Sequence, residues 1–123
     1  MSDHRPAVLV VEDEPLIRMG AVSIVEDAGC EALEASHADA AIQILESRSD
    51  IRLVLTDVDM PGTMDGLKLA HYISNRWPPI RLIVVSGKLL IEASHLPRGA
   101  RFFGKPYADT AVSRAVKEML ARP

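Results

Sequence analysis

The chain has 123 residues, enough for one domain, with 48% hydrophobic and 25% charged residues and a formal net charge of −3. That balance excludes a disordered chain, and no basic tract favours nucleic acid or an anionic membrane surface. The lone Cys30 allows no internal disulfide, and no apolar stretch reaches the ~20 residues that span a bilayer.

The predicted elements alternate between strand and helix five times. An apolar run, Ala7-Val8-Leu9-Val10-Val11, makes the first strand, over about 7–12. Pro15 suits the first turn of a helix, Ile17, Ala21, Ile24 and Ala28 recur at helical spacing, and Gly29 is a C-cap. The second strand spans about 31–35. Ser36 with Asp39 resembles a capping box before a helix carrying Ala38, Ala41, Ile42 and Leu45. The third strand, about 52–57, leads to Asp65-Gly66 and a helix with Leu69, Ala70 and Ile73 inward, closed by Trp77-Pro78-Pro79. After the fourth strand, about 80–86, the segment from Lys88 to His95 reads as a short, irregular fourth helix ended by Pro97 and Gly99. A fifth strand, about 101–104, precedes a last helix from about Ala108 with Val112, Ala115, Val116, Met119 and Leu120 inward. Strict alternation argues for a parallel sheet covered on both faces, and the strands lack in/out alternation as that requires. No repeat or linker interrupts the pattern, so one domain over 1–123 with no output domain is expected. The start, Met1-Ser2-Asp3-His4-Arg5-Pro6, is no signal peptide, and a cytoplasmic location is expected.

Four strands end in chemistry. The first runs into Glu12-Asp13-Glu14, the third into Asp57-Val58-Asp59-Met60-Pro61-Gly62, the fourth into Ser86-Gly87 and the fifth into Lys105-Pro106. The carboxyl ends of strands are where open α/β sheets place their sites. Carboxylates, a hydroxyl and a lysine on one edge are the composition of a magnesium-dependent phosphoryl-transfer site.

These motifs, with Val10-Val11-Glu12-Asp13-Glu14-Pro15, Asp65-Gly66 and Lys105-Pro106-Tyr107, resemble the response-regulator receiver domain of two-component signalling across essentially the whole chain. The resemblance implies a flavodoxin-like doubly wound α/β fold: a five-stranded parallel sheet in the order 2-1-3-4-5 with five helices, the fourth short or irregular. It implies a phosphoacceptor in a histidine-to-aspartate phosphorelay rather than an enzyme. Asp57 would take the phosphoryl group. Asp13, Asp57 and the backbone carbonyl of Asp59 would hold Mg²⁺ (or Mn²⁺), with Glu12 acting through water or from behind. Lys105 and Ser86 would bind phosphoryl oxygens, and Phe102 would turn inward as Ser86 moves. A cis bond between Lys105 and Pro106 is implied as well. Asp59 and Lys88 occupy the positions associated with the lifetime of the phosphoryl group. Leu16, Met19, Gly20, Pro106 and Tyr107 are candidates for docking a histidine kinase or histidine phosphotransfer protein. A downstream protein partner is expected, with no nucleic acid and no membrane, and the chain as a monomer or a weak phosphorylation-dependent dimer.

Three features depart from the common pattern. The stretch Gly62-Thr63-Met64-Asp65 carries one extra residue, Phe102 stands where Tyr is often found, and Ser86 to Lys105 is short by a few residues. The last puts the usual output and dimer face in question. The pattern around Gly99-Ala100-Arg101-Phe102-Phe103-Gly104-Lys105-Pro106-Tyr107 resembles stand-alone bacterial receivers and those of hybrid histidine kinases, so a stand-alone response regulator is expected, with a piece of a hybrid kinase as the alternative. Asp57-x-Asp59 also resembles the nucleophile motif of haloacid-dehalogenase-type phosphatases, but that family places its nucleophile on the first strand. His4, His37, His71 and His95 show no ligand spacing and are expected to face solvent, and Cys30 to fill a small apolar space.

Overall fold

The computed structural model describes residues 5–62, 64–88 and 91–121. The first four residues with His4, Thr63 of the lengthened loop, and Leu89 and Leu90 of the expected fourth helix lie outside the described residues. The element order is β1 (Ala7–Val11), α1 (Pro15–Asp27), β2 (Glu31–Ala35), α2 (Ala38–Ser47), β3 (Ile51–Asp57), α3 (Gly66–Arg76), β4 (Arg81–Ser86), a 3₁₀ turn (Ala93–His95), β5 (Arg101–Gly104) and α4 (Asp109–Ala121). All strand pairs are parallel, in the order β2-β1-β3-β4-β5. The sheet reverses direction of growth between β1 and β3, so a crevice opens at their carboxyl ends, where such sheets bind ligands.

The central strands explain the missing alternation. Ala7, Leu9 and Val11 of β1 face the helices α2 and α3, while Val8 and Val10 face α1 and α4. Both sets are buried, because each face of the sheet is roofed by helices. The edge strands are less covered: Glu31 to Leu33 and Phe102 and Phe103 are only half-buried.

Local chemistry sets the helix boundaries. Pro15 opens α1, and Gly29 ends it with φ +85°, a conformation that favours glycine. Asp65 caps α3 by accepting a hydrogen bond from the Lys68 N–H at 2.9 Å. Two expectations are corrected. The cap of α2 is His37, whose Nδ1 accepts from the Ala40 N–H at 3.2 Å, rather than Ser36. Ile17 is 40% exposed rather than turned inward with Ala21 and Ile24, and lines an apolar depression with Pro106 and Tyr107.

Among the described residues, the expected fourth helix comes down to the single 3₁₀ turn Ala93–His95. Pro97 and Gly99 stop any longer helix before β5. The turn is tied down by histidines: the Glu92 N–H donates to His95 Nδ1 at 3.0 Å, and His71 Nε2 of α3 bonds the His95 carbonyl at 2.7 Å. His37, His71 and His95 are exposed, as expected, yet all three make structural hydrogen bonds.

Cys30 is 1% exposed between α1 and β2. Burial pushes its thiol pKa up, against the pull of Arg5 and Arg52. The native protein at pH 8 is therefore expected to resist iodoacetamide, with full labelling only in denaturant; mass spectrometry distinguishes the two, and rapid native labelling would contradict this packing.

Candidate functional site

The four strand ends converge as the register requires. Asp57 pairs with Val85, and Ser86 with Gly104, so the residues after each strand share one edge. Backbone bonds lock the rim: the Val58 N–H donates to the Val85 carbonyl and the Lys105 N–H to the Ser86 carbonyl, both at 2.9 Å, and the Glu12 N–H to the Ala35 carbonyl at 3.0 Å.

Asp57 sits at the bottom of the resulting cleft, 3% exposed. Its Oδ2 lies 3.1 Å from Lys105 Nζ, which also reaches Glu12 Oε1 at 3.2 Å. Glu12 is equally buried, and its Oε2 accepts from the Glu14 N–H at 3.0 Å. One ammonium thus bridges two buried carboxylates. Burial raises the Glu12 pKa, the charge of Asp57 adds to the rise, and the Glu14 N–H and Lys105 oppose it. Burial works against the Lys105 ammonium, but its bonds to Asp57 and Glu12 outweigh that and raise its pKa.

Carboxylate oxygens of Glu12, Asp13 and Asp57 lie within 4.8 Å of one another. Asp57 Oδ1 is buried and, among the described residues, the one such side-chain oxygen with no hydrogen-bond partner. A buried anionic oxygen without a donor is costly, and a hard divalent cation beside three acidic groups is the natural partner for it. The donor set, all oxygen and no nitrogen or sulfur, fits Mg²⁺ or Mn²⁺.

Around this centre stand the other expected residues. Ser86 is 1% exposed; its Oγ lies 3.2 Å from Asp59 Oδ2 and accepts from the Lys88 N–H at 3.0 Å. Lys88 Nζ pairs with Asp59 Oδ1 at 3.2 Å. Phe102 is half-buried against the core beneath α2 and α3. The Lys105–Pro106 bond is cis. Beside Lys105 lies an apolar depression lined by Ile17, Pro106 and Tyr107. Leu16 and Met19 project from α1 at 79% and 63% exposure, and Gly20 is also exposed.

Two supporting roles are not evident from the sequence alone, that of Arg18 and the close approach of Gly66, a residue already singled out by its motif. Arg18 of α1 donates to the Glu12 carbonyl at 2.9 Å and pairs with Glu34 at 3.1 Å, so it holds the acidic loop in place. Gly66, the first residue of α3, lies directly under the Asp57 backbone and donates its N–H to the Val58 carbonyl at 3.0 Å. Glycine in the first turn of a helix, where most residues do better, was the available signal.

The family model of the response regulator receiver domain matches residues 8–116. The chain belongs to this family. The receiver is 36% identical over 119 residues to the sensor kinase CckA of Brucella abortus, an alignment covering 94% of this chain and 12% of that protein. It is 34% identical to the nitrogen assimilation regulatory protein NtrX of Azorhizobium caulinodans, over 85% of this chain and 24% of that protein. The receiver therefore spans a quarter or less of these two relatives. Among solved structures, a response regulator receiver protein from Sinorhizobium medicae superposes with a TM-score of 0.88 at 26% identity, covering 97% of both chains. Asp57 of the receiver ends β3 with a separate acidic pair after β1, which is not the dehalogenase arrangement. Among the described residues, no helix is long and apolar enough to cross a membrane.

Proposed function

We propose that the chain is a phosphoacceptor switch that takes a phosphoryl group onto Asp57 from a phosphohistidine. The observation that carries this reading is the state of the Asp57 carboxylate: one oxygen on Lys105, the other buried and unpartnered beside Glu12 and Asp13. In the transfer, a bond forms between an Asp57 oxygen and phosphorus. The P–N bond of the donor breaks, and the imidazole nitrogen keeps the bonding pair.

Asp13 and Asp57 through their side chains, Asp59 through its carbonyl and Glu12 through water would hold Mg²⁺ or Mn²⁺. Bound there, the cation supplies positive charge against the developing phosphoryl oxygens. Lys105 adds a fixed ammonium on the same side, already placed within reach of Asp57. Ser86 donates its hydroxyl to a second phosphoryl oxygen, and Phe102 follows the loop after β4. Asp59 and Lys88 flank the path of an attacking water and so bear on lifetime. The exposed Leu16, Met19 and Gly20, with Pro106 and Tyr107 around the apolar depression, form the docking surface for a histidine kinase or phosphotransfer protein. The switch acts in the cytoplasm by binding a protein rather than by turning over a substrate. The similarity to a sensor kinase favours one second setting, the receiver of a hybrid kinase.

Incubation with Mg²⁺ and a small acyl-phosphate donor, followed by intact mass, tests the reading. Wild type is expected to gain one phosphoryl group, and Asp57→Asn none. An adduct that persists in Asp57→Asn, or none in wild type, would sink it.

A further inference from the structure

The Ser86 hydroxyl has one proton to donate, and in this structure it is directed at Asp59. Ser86 Oγ lies 3.2 Å from Asp59 Oδ2, and its lone pair is engaged by the Lys88 N–H at 3.0 Å. The acceptor is itself held, because Lys88 Nζ pairs with Asp59 Oδ1 at 3.2 Å. The residue two beyond Asp57 on one strand end is thus closed onto the hydroxyl of the neighbouring strand end by the residue two beyond Ser86.

We infer that the Asp59 side chain is a latch on Ser86, a positioning residue that holds the hydroxyl away from Asp57 and sets how readily the receiver switches. The inference rests on the proposed phosphoacceptor reading. A hydroxyl proton serves one strong acceptor at a time, so Ser86 must leave Asp59 before it can donate to a phosphoryl oxygen on Asp57. Both acceptors are anionic, and at 3.2 Å the bond to Asp59 is long for a hydroxyl on a carboxylate, so it can be exchanged at small cost. In such an exchange, changing one partner shifts the populations by its differential interaction with the two states. Ser86 is 1% exposed, so its hydroxyl is offered to neighbouring protein groups rather than to bulk solvent. The Asp59 side chain is 37% exposed, which keeps the latch weak enough to open.

The test is a double-mutant cycle on binding of fluoroberyllate, a phosphoryl analogue, at saturating Mg²⁺. Removing the Asp59 charge improves binding of any anion, and that part is the same with or without Ser86. The latch adds a part that needs Ser86. Asp59→Ala is therefore expected to tighten binding about three- to tenfold more in the Ser86 background than in Ser86→Ala, the range for a half-exposed charged hydrogen bond. Asp59→Asn, which keeps a neutral acceptor, is expected to fall between. In the free protein, the Ser86 and Lys88 amide resonances of Asp59→Ala are expected to move toward their analogue-bound positions in wild type. Equal tightening in both backgrounds, or unmoved resonances, overturns the latch and leaves the phosphoacceptor reading standing. No analogue binding by wild type overturns that reading and the latch with it.

Discussion

Replacing Gly66 by alanine is expected to disrupt the protein more than the same change at any other glycine. A Cβ built on Gly66 would lie 1.7 Å from the Asp57 carbonyl oxygen and 2.5 Å from its carbon. Both are backbone atoms and cannot swing aside. The start of α3 cannot simply withdraw, because the Gly66 N–H is bonded to the Val58 carbonyl at 3.0 Å and Leu69, Ala70 and Ile73 of the same helix are buried in the core. Overpacking of side chains costs about 1–3 kcal/mol, and a clash with backbone belongs at or beyond the top of that range. Urea unfolding is expected to show a loss of about 3 kcal/mol or more, with reduced phosphoryl uptake in whatever folds, since relief comes only by moving Asp57. Gly20→Ala is the control: nothing lies within 4 Å of its Cβ, and a glycine replaced inside α1 should stabilise by about 0.5–1 kcal/mol. Equal effects at the two positions would contradict the close approach under Asp57.

The second large effect is expected from Lys105→Met. The ammonium bridges Glu12 and Asp57, whose side chains are 4% and 3% exposed. Without it, two carboxylates face each other out of water. Breaking a buried pair costs about 3–5 kcal/mol; with Lys105 itself 23% exposed, about 1–3 kcal/mol is expected at neutral pH in chelator. Two conditions should shrink the loss. Added Mg²⁺ replaces the missing charge between the same oxygens. Acid does so as well, and the sign follows from Glu12. Its pKa is already raised by burial, and removing Lys105 removes an opposing influence. An acid whose folded pKa exceeds its unfolded value binds more protons folded than unfolded, so its stability falls as pH rises through that interval. The variant should therefore recover as pH drops from neutral toward the ordinary glutamate range, whereas in wild type the Lys105 contribution persists through neutral pH and fades only in alkali. Thermal melts in chelator and in Mg²⁺, at neutral and mildly acidic pH, make the comparison. A deficit unchanged by Mg²⁺ would mean that the acidic cluster does not take up the cation.

Much of this molecule is legible residue by residue. The strand ends at Val11, Asp57, Ser86 and Gly104 could be placed because apolar runs of β-formers stop where turn-forming and charged residues begin. Pro15, Gly29 and Asp65 mark helix ends through their own backbone and side-chain chemistry. Those signals are local, and strict alternation then leaves few topologies to choose from. They also put acidic, hydroxyl and ammonium groups at a common edge, which is why the composition of the candidate site is legible in the sequence.

What stayed hidden depends on distances between segments far apart in the chain. His37 caps α2 in place of Ser36 because both can accept a hydrogen bond, and the path of the chain out of β2 decides which one reaches Ala40. Ile17 has the right spacing for a buried position, but spacing alone does not say which turns of a helix are covered by the rest of the fold. The closeness of Gly66 to Asp57, the reach of Arg18 to the Glu12 carbonyl and the closure of Asp59 onto Ser86 are all contacts between separate elements. Sequence by itself determined the strand and helix order and which chemical groups lie at the carboxyl edge, since periodicity and turn chemistry are properties of neighbouring residues. Only the tertiary structure decided which of those groups touch, because parallel-strand register, Asp57 against Val85 and Ser86 against Gly104, brings together side chains that no local pattern links.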